Sequence, residues 1–541
     1  MLGSLSDTHV SGTLRTVRVL VSDSVAEEGL AVLRQAAEVD YRPNLPREAL
    51  LECIGEYDAL MVRSQTRVDA EVIARGVRLK VIGRAGVGVD NIDVDAATQR
   101  GIVVVNSPEG NTIAAAELTM AHLLALARYI PQADRSLRAG EWKRTQFTGV
   151  ELSRKTLGII GMGKIGREVA RRARAFGMRI VAYDPFVPDA HIRQLGAEPA
   201  PLETLLRESD FITLHAPLTP ETRGLLNRER LALTKPGVRI INCARGELID
   251  ADALAEFIES GHVAGAALDV FPTEPPSPDL KLLHQPQNVL TPHLGASTVE
   301  AQVKVAVDVA EQIVAVLQGG APRSPVNLPP IPAELMARVE PYLELAKRMG
   351  VLHSQLADAP IERLHALFSG EWGDLPLDLV ARAALAGLLQ RTTDTPVNLV
   401  NAPLIAQQRG VHLEWSVRPE TELYPDTLTL TAHTATSAQK LTGTVFGRAD
   451  LRITHLNDLF VDIRPEGILL LTEHQDRPGI IGRVGTVLGN YQVNIAGMHV
   501  GRESMGGRAV MILQVDNPIP PEAFEQIRQL EGVDSARVVV F

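Results

Sequence analysis

The sequence predicts an α/β protein with two doubly wound parallel-sheet domains, an α+β domain behind them and a ferredoxin-like βαββαβ domain at the end. Three observations carry this. From Val17 to about Leu317, short apolar runs alternate with amphipathic stretches, the pattern of parallel strands joined by crossover helices. A glycine turn, Gly161-x-Gly163-x-x-Gly166, joins one of these runs to a helix, and more α/β text precedes it than an opening strand needs. From Gly467 the pattern is strand, helix, strand, strand, helix, strand.

The elements follow in order. "VRVLVSD" is a strand and "VAEEGLAVLRQA" an amphipathic helix; "ALMVRS" and "LKVIGRAG" are further strands. The series continues through "KTLGIIG", "RIVAYDP", "SDFITLHAP", "VRIINCARG", "VAGAALDVF" and "NVLTPHLG". "QGGAPRSPVNLPPIPAEL", from Gln318, is rich in Gly and Pro and reads as a linker. A mixed region follows to about Arg464, with helical "LVARAALAGLLQ" and alternating "TLTLTAHT" and "KLTGTVFG". Pro465-Glu466-Gly467 marks the next boundary.

Composition bounds the class. A chain of 541 residues holds three or four domains at ~100–200 residues each. Its 45% hydrophobic and 22% charged content is that of an ordinary globular protein. A net charge of −11 argues against a general nucleic-acid binder. Cys53 and Cys243 are too few for a disulfide framework or a Cys-rich metal site, so no metal is expected and a reducing cytosol fits. Residues 1–16 are expected to be a flexible leader rather than a signal peptide. No uninterrupted run of ~18 apolar residues occurs, so no membrane span is expected. The most apolar helix, from Ala114, is broken by Glu117, His122 and Arg128 and reads as a buried or interface helix.

The glycine turn has the context that gives such a motif meaning: strand before, helix after. Gly161 permits the tight turn, Gly163 lets the backbone approach a pyrophosphate at the helix N-terminus, and Gly166 allows close packing. Asp184 ends the next strand, 18 residues after Gly166. It is placed to accept from ribose hydroxyls, which favours NAD over NADP.

An enzyme that oxidises an alcohol with a nicotinamide needs a base, a group that fixes the base's tautomer, and a cation for the substrate's anionic end. Downstream strand ends offer all three. His293 lies in "TPHLGAST", Glu274 in "LDVFPTEPP" and Arg245 in "NCARG". A carboxylate beside an imidazole orients it, and an arginine makes a bidentate contact to a carboxylate. Cys243 lacks the base or metal partners that would mark a nucleophile.

With "GMGKIG", "NCARGELID", "LDVFPTEPP" and "PHLGAST" together, the chain resembles the D-2-hydroxyacid dehydrogenase family, and "VRSQTRV" and "VIGRAGVGVDNID" extend the likeness upstream. The resemblance implies NAD-dependent oxidation of 3-phosphoglycerate to 3-phosphooxypyruvate, the first committed step of serine synthesis. It implies His293 as acid/base, Glu274 as its partner and Arg245 as carboxylate anchor. NAD contacts are implied for Gly161, Gly163, Lys164, Ile165, Gly166, Asp184, Ala216, Cys243, Ala244, Arg245, Asp269, His293, Leu294, Gly295, Ala296 and Val87. Val87 and Ala216 are apolar where relatives often carry a hydroxyl, so backbone or packing contacts alone are expected there. Substrate contacts are implied for Arg63, Ser64, Arg84, Asn111 and Arg245. Lys143 and Arg144 in "EWKR" are either exposed surface or reach a neighbouring subunit's site. The family's chain path closes the front domain with a returning helix. The expected domains are therefore 17–107 with 301–327 for substrate, 108–300 for NAD, 328–464 intervening and 465–541 terminal.

The terminal segment, "LLLTEHQDRPGIIGRVGTVLGNYQVNIAGMHVGR", resembles an ACT domain. The likeness implies an L-serine effector site lined by His474, Asp476 and Asn494, and a homo-oligomer, tetramer or dimer. Rival substrates within the family are 2-oxoglutarate/2-hydroxyglutarate, glyoxylate and hydroxypyruvate. Arg63, Arg84 and the extra domains favour the phosphorylated one. A non-catalytic NADH-sensing corepressor is the rival of another class, and the presence of Arg245, Glu274 and His293 argues against it.

Overall fold

The computed structural model describes residues 16–541 apart from 392, 394–395 and 422–423, so the expected leader, Thr16 excepted, lies outside the described residues. Four sheets organise the described residues. The first runs, in spatial order, Glu38–Tyr41, Arg18–Val21, Ala59–Val62, Val81–Arg84 and Val103–Asn106, all parallel. The second runs Val289–Leu290, Val263–Leu268, Val238–Asn242, Phe211–Leu214, Thr156–Ile160, Arg179–Tyr183 and Glu198–Pro199, again all parallel. Ala59–Val62, Thr156–Ile160 and Phe211–Leu214 are buried at every position. Helices on both faces require that, and it explains continuous apolar runs instead of alternation. In the second sheet, strand order reverses between Thr156–Ile160 and Phe211–Leu214, which opens a crevice at their carboxyl ends.

The helix Val299–Leu317 leaves the second sheet and packs on the first. Thr298 caps it by accepting from the Ala301 N–H. Val305, Val309 and Ile313, four residues apart, are buried as one stripe. Each such side chain contributes on the order of 2 kcal/mol by leaving water. Glycines admit the helix: a Cβ on Gly83 would lie 2.6 Å from Val309, and one on Gly29 2.7 Å from Ala306. Beyond it, the Asn327 amide accepts from Val104 N and donates to Ile102 O, both at 2.9 Å, tying the chain to the sheet's edge strand.

The third sheet is mixed and six-stranded, with Ala333–Leu356 and Leu377–Leu389 packed against it. The fourth is antiparallel, in the order Ile495–Arg502, Arg508–Val515, Ile468–Gln475 and Val533–Val540. Helices Ile480–Asn490 and Pro521–Arg528 cover one of its faces through Val484, Leu488 and Ile527. On its other face Leu469, Leu471, Val510, Ile512 and Val539 join the apolar core of the third sheet. The Gln355 side chain also bonds both backbone groups of Val540 at 3.1 Å. Among the described residues no single helix is long and apolar enough to cross a membrane. The apolar helix is observed as Thr112–Arg128, and its Ala115, Ala116, Leu123 and Leu126 are buried.

Candidate active site

The glycine loop sits at the strand-order reversal. Gly161 has φ +97°, and a Cβ there would lie 2.6 Å from the His215 carbonyl oxygen, beside Ala216. At Gly166 a Cβ would fall 2.0 Å from the Gly161 carbonyl oxygen, so the helix Lys164–Ala175 begins against the loop itself. Gly163 differs: its Cβ would meet nothing within 4 Å. A bare backbone facing open space at a helix N-terminus fits a pyrophosphate. Asp184 accepts from Met162 N at 2.8 Å, Phe186 N at 2.9 Å and Val187 N at 3.2 Å, so the carboxylate expected at the ribose also holds the loop in shape. Lys164 pairs its ammonium with Glu109 at 2.6 Å, leaving its backbone N–H at the mouth of the site. Ile165 packs against the core under the loop.

Arg245 leaves the strand Val238–Asn242 by way of a clasp. The buried Asn242 side chain accepts from Ala244 N at 3.0 Å and donates to Arg245 O at 2.8 Å. Gly246 is obligatory, since a Cβ would lie 2.0 Å from the Phe271 carbonyl carbon. The guanidinium donates to Ala244 O at 2.7 Å and crosses the cleft to Asp90 Oδ2, through Nη2 at 3.0 Å and Nε at 3.2 Å. Asp90 belongs to the loop after the strand Val81–Arg84, so this pair joins the two parallel-sheet units. Beside it, burial pushes the Cys243 thiol up to about 12, which keeps it protonated and unreactive.

Glu274 and His293 meet, Oε2 to Nδ1, at 2.6 Å. Burial raises the Glu274 carboxyl, but the hydrogen bond and charge of His293, the Phe271 N–H at 3.1 Å and Arg245 outweigh it and hold the carboxyl below its ordinary value. His293 has φ +55°, a left-handed conformation sustained by its N–H donating to Asp269 O at 2.9 Å. Asp269 is fully buried and accepts from Thr291 Oγ1 at 2.6 Å, Leu294 N at 2.7 Å and Gly295 N at 2.9 Å. The residue expected at the cofactor is therefore also the clamp on the loop that carries His293 to Ala296.

Arg84 lies within electrostatic reach of Arg245, and Arg63 within reach of Arg84. Arg84 is electrostatically coupled to both Arg245 and Arg63; burial and then the Arg245 charge lower it to about 10, so it stays cationic at neutral pH. Its Nε is shielded without a hydrogen-bond partner, as is Oδ1 of Asn111. Arg63 donates to Ser24 O at 3.2 Å, and Ser64 next to it is exposed. The Val87 carbonyl oxygen accepts from the Asn106 amide. Lys143 pairs with Glu141 at 2.7 Å, and Arg144 is exposed.

The comparisons cover this architecture in sequence. Residues 120–295 match the model of the D-isomer specific 2-hydroxyacid dehydrogenase NAD binding domain, residues 338–457 that of the D-3-phosphoglycerate dehydrogenase intervening domain, and residues 468–532 that of the ACT domain. A D-3-phosphoglycerate dehydrogenase of Synechocystis sp. is 46% identical over 526 residues, covering 96% of this chain and 94% of its own. One of Methanocaldococcus jannaschii is 44% identical, over 97% and 99% of the two chains. The chain belongs to the D-3-phosphoglycerate dehydrogenase family. A solved Thermus thermophilus structure matches 57% of the chain and all of its own with TM-score 0.54 and 41% identity.

The family's ACT domain holds the expected effector residues in different settings. Asp476 is ion-paired to Arg502 at 2.9 Å, whose hydrogen bond, with that of Gly506 N, holds the carboxyl below its ordinary value. Asn494 is exposed and donates to Asp516 at 2.6 Å. His474 is 2% exposed. It follows Leu470 and Thr472 on the helix-covered face of its strand, because alternate residues share a face. Asp90, Asn242, His122 and Thr291 were not foreseen as site residues. Asp90, Asn242 and Thr291 nevertheless sit in motifs that the sequence marks, whereas His122 lies inside an apolar helix.

Proposed function

We propose that the protein oxidises 3-phospho-D-glycerate to 3-phosphooxypyruvate, the first committed step of L-serine synthesis, with L-serine as feedback effector through the ACT domain. The observation that supports the reading is the Glu274–His293 pair with Arg245 in electrostatic reach of Glu274 and Arg84 in reach of Arg245. Glu274 takes the Nδ1 side of the imidazole and leaves Nε2 of His293 to receive the hydroxyl proton. Arg245 anchors the substrate carboxylate by exchanging Asp90 for the incoming anion. Arg84, with Arg63, takes the phosphate, which supplies the partner that the shielded Arg84 Nε lacks. Asn111 adds a neutral contact. The Gly161–Gly166 loop would hold NAD, which would supply the hydride acceptor. Asp184 excludes a 2′-phosphate by its charge, and Asp269 keeps His293 to Ala296 in place. The assembly we propose is a homo-oligomer in a reducing cytosol, which the two free thiols suit.

Arg84→Gln tests the substrate. KM for 3-phosphoglycerate should rise at least about tenfold, well beyond the change for a non-phosphorylated 2-hydroxyacid. Equal changes for both would remove the phosphate role. Wild-type activity confined to non-phosphorylated acids would overturn the substrate assignment.

A further inference from the structure

We infer that His122 is a positioning residue for the reaction, acting through the Thr291 hydroxyl on the loop that carries His293; this rests on the dehydrogenase reading above. His122 lies on the helix Thr112–Arg128 and is 3% exposed, on a face otherwise made by Ala115, Ala116, Thr119, Leu123 and Leu126. Its Nε2 is 3.0 Å from Thr291 Oγ1, and its Nδ1 is 3.6 Å from Cys243 Sγ. Thus one ring touches the ends of two strands, one leading to Arg245 and one to His293.

The hydrogen-bond inventory orders the protons along this chain of contacts. Asp269, as a carboxylate, only accepts, so the single Thr291 hydroxyl proton goes to its Oδ1 at 2.6 Å. Thr291 Oγ1 then offers lone pairs alone, and His122 Nε2 must carry the proton it donates. The neutral ring's Nδ1 is left bare as an acceptor facing the Cys243 thiol. Burial supports this neutral form by lowering the His122 pKa, which the Asp269 charge opposes only in part. Thr119, the other polar group on this face, donates its hydroxyl proton to Ala115 O at 2.8 Å, and its oxygen is a second partner for the Cys243 thiol.

The consequence falls on the loop. Asp269 clamps Leu294 and Gly295 with the same carboxylate that receives Thr291, and its carbonyl oxygen receives the His293 N–H. Without the His122 donor, the half-buried Thr291 hydroxyl loses a partner and is free to turn from Asp269. His293 then loses part of what sustains its positive φ. The Arg245 guanidinium is held by Ala244 O and Asp90, and Arg84 and Arg63 belong to the other parallel-sheet unit, so binding of the hydroxyacid is spared.

The test is steady-state kinetics on His122→Leu, His122→Gln, Thr291→Val, Thr291→Ser and the His122→Leu/Thr291→Val double variant. His122→Leu and Thr291→Val should each lower kcat about tenfold while KM for the hydroxyacid stays within about twofold. Gln presents an amide N–H near the place of Nε2, and Ser keeps the hydroxyl, so each should restore most of kcat. The double variant should lose clearly less than the sum of the two single losses, the mark of two residues acting along one path. Full activity in His122→Leu, additive losses in the double variant, or equal losses in Leu and Gln would overturn the inference. If His122→Leu does not fold, the Val and Ser variants of Thr291, with His122→Gln, still decide it: a Thr291→Val enzyme with undiminished kcat sinks the relay. Absence of NADH formation by the wild-type enzyme would instead count against the dehydrogenase reading.

Discussion

Cys243 and Arg245 stand two residues apart at the end of one strand, and their environments send them to opposite fates. The thiol is raised to about 12 by burial, so at pH 8 roughly one in 10⁴ molecules carries a thiolate. Arg245 holds two hydrogen bonds and a further ion-pair contact with a planar fork that a lysine cannot reproduce. Arg245→Lys should therefore lower kcat/KM on the order of 100-fold. Cys243→Ala should lose no more than about threefold, and iodoacetamide at pH 8 should leave the wild-type rate intact. A large loss on alkylation, or a mild Arg245→Lys enzyme, would contradict these assignments. The reactive trio was legible because each member sits in a local motif at a strand end. Asp90 was not, because its partner Arg245 lies 155 residues away in sequence. His122 was legible only as an interruption in an apolar helix, since its partners Thr291 and Cys243 come from other strands.

At the scale of the elements, the parallel strands could be read because burial on both faces writes them as continuous apolar runs. The expected returning helix begins at Val299, one residue past its Thr298 cap. What periodicity does not reveal is where that helix packs. Its apolar stripe looks the same whichever sheet receives it, and the pairing with Gly29 and Gly83 is set by tertiary contact. The glycines differ in kind, and two variants expose the difference. A Cβ at Gly246 strikes the backbone of Phe271, so Gly246→Ala should cost about 1–3 kcal/mol of stability and displace both Arg245 and Glu274. A Cβ at Gly163 meets open space, so Gly163→Ala should keep its Tm and raise KM for NAD. Thermal unfolding beside KM for NAD separates them; equal Tm losses would refute the cradle assigned to Gly163.

Over the whole molecule, the sequence marks two C-terminal segments, but the structure gives them one apolar core. Leu469, Leu471 and Val539 of the ACT sheet pack with Leu352 and Leu356 of the preceding helix. The two runs on the inner face of that sheet look like ordinary strands, so nothing in their spacing names the neighbour that covers them. This shared core is a solid path for the proposed serine signal to leave the ACT domain. Asn494→Ala should weaken inhibition by L-serine, read as the ratio of rates with and without millimolar serine. Unchanged inhibition in the variant, or a wild-type enzyme indifferent to serine, would remove the feedback reading. The central claim is that the Glu274–His293 pair oxidises 3-phosphoglycerate beside the glycine loop. Its most direct measurement is NADH formation from 3-phosphoglycerate at alkaline pH, with the product trapped, in wild-type and His293→Ala enzymes. The account predicts a robust wild-type rate that falls at least about 100-fold in the variant; a His293→Ala enzyme that turns over normally, or a wild-type enzyme that makes no NADH, would contradict it.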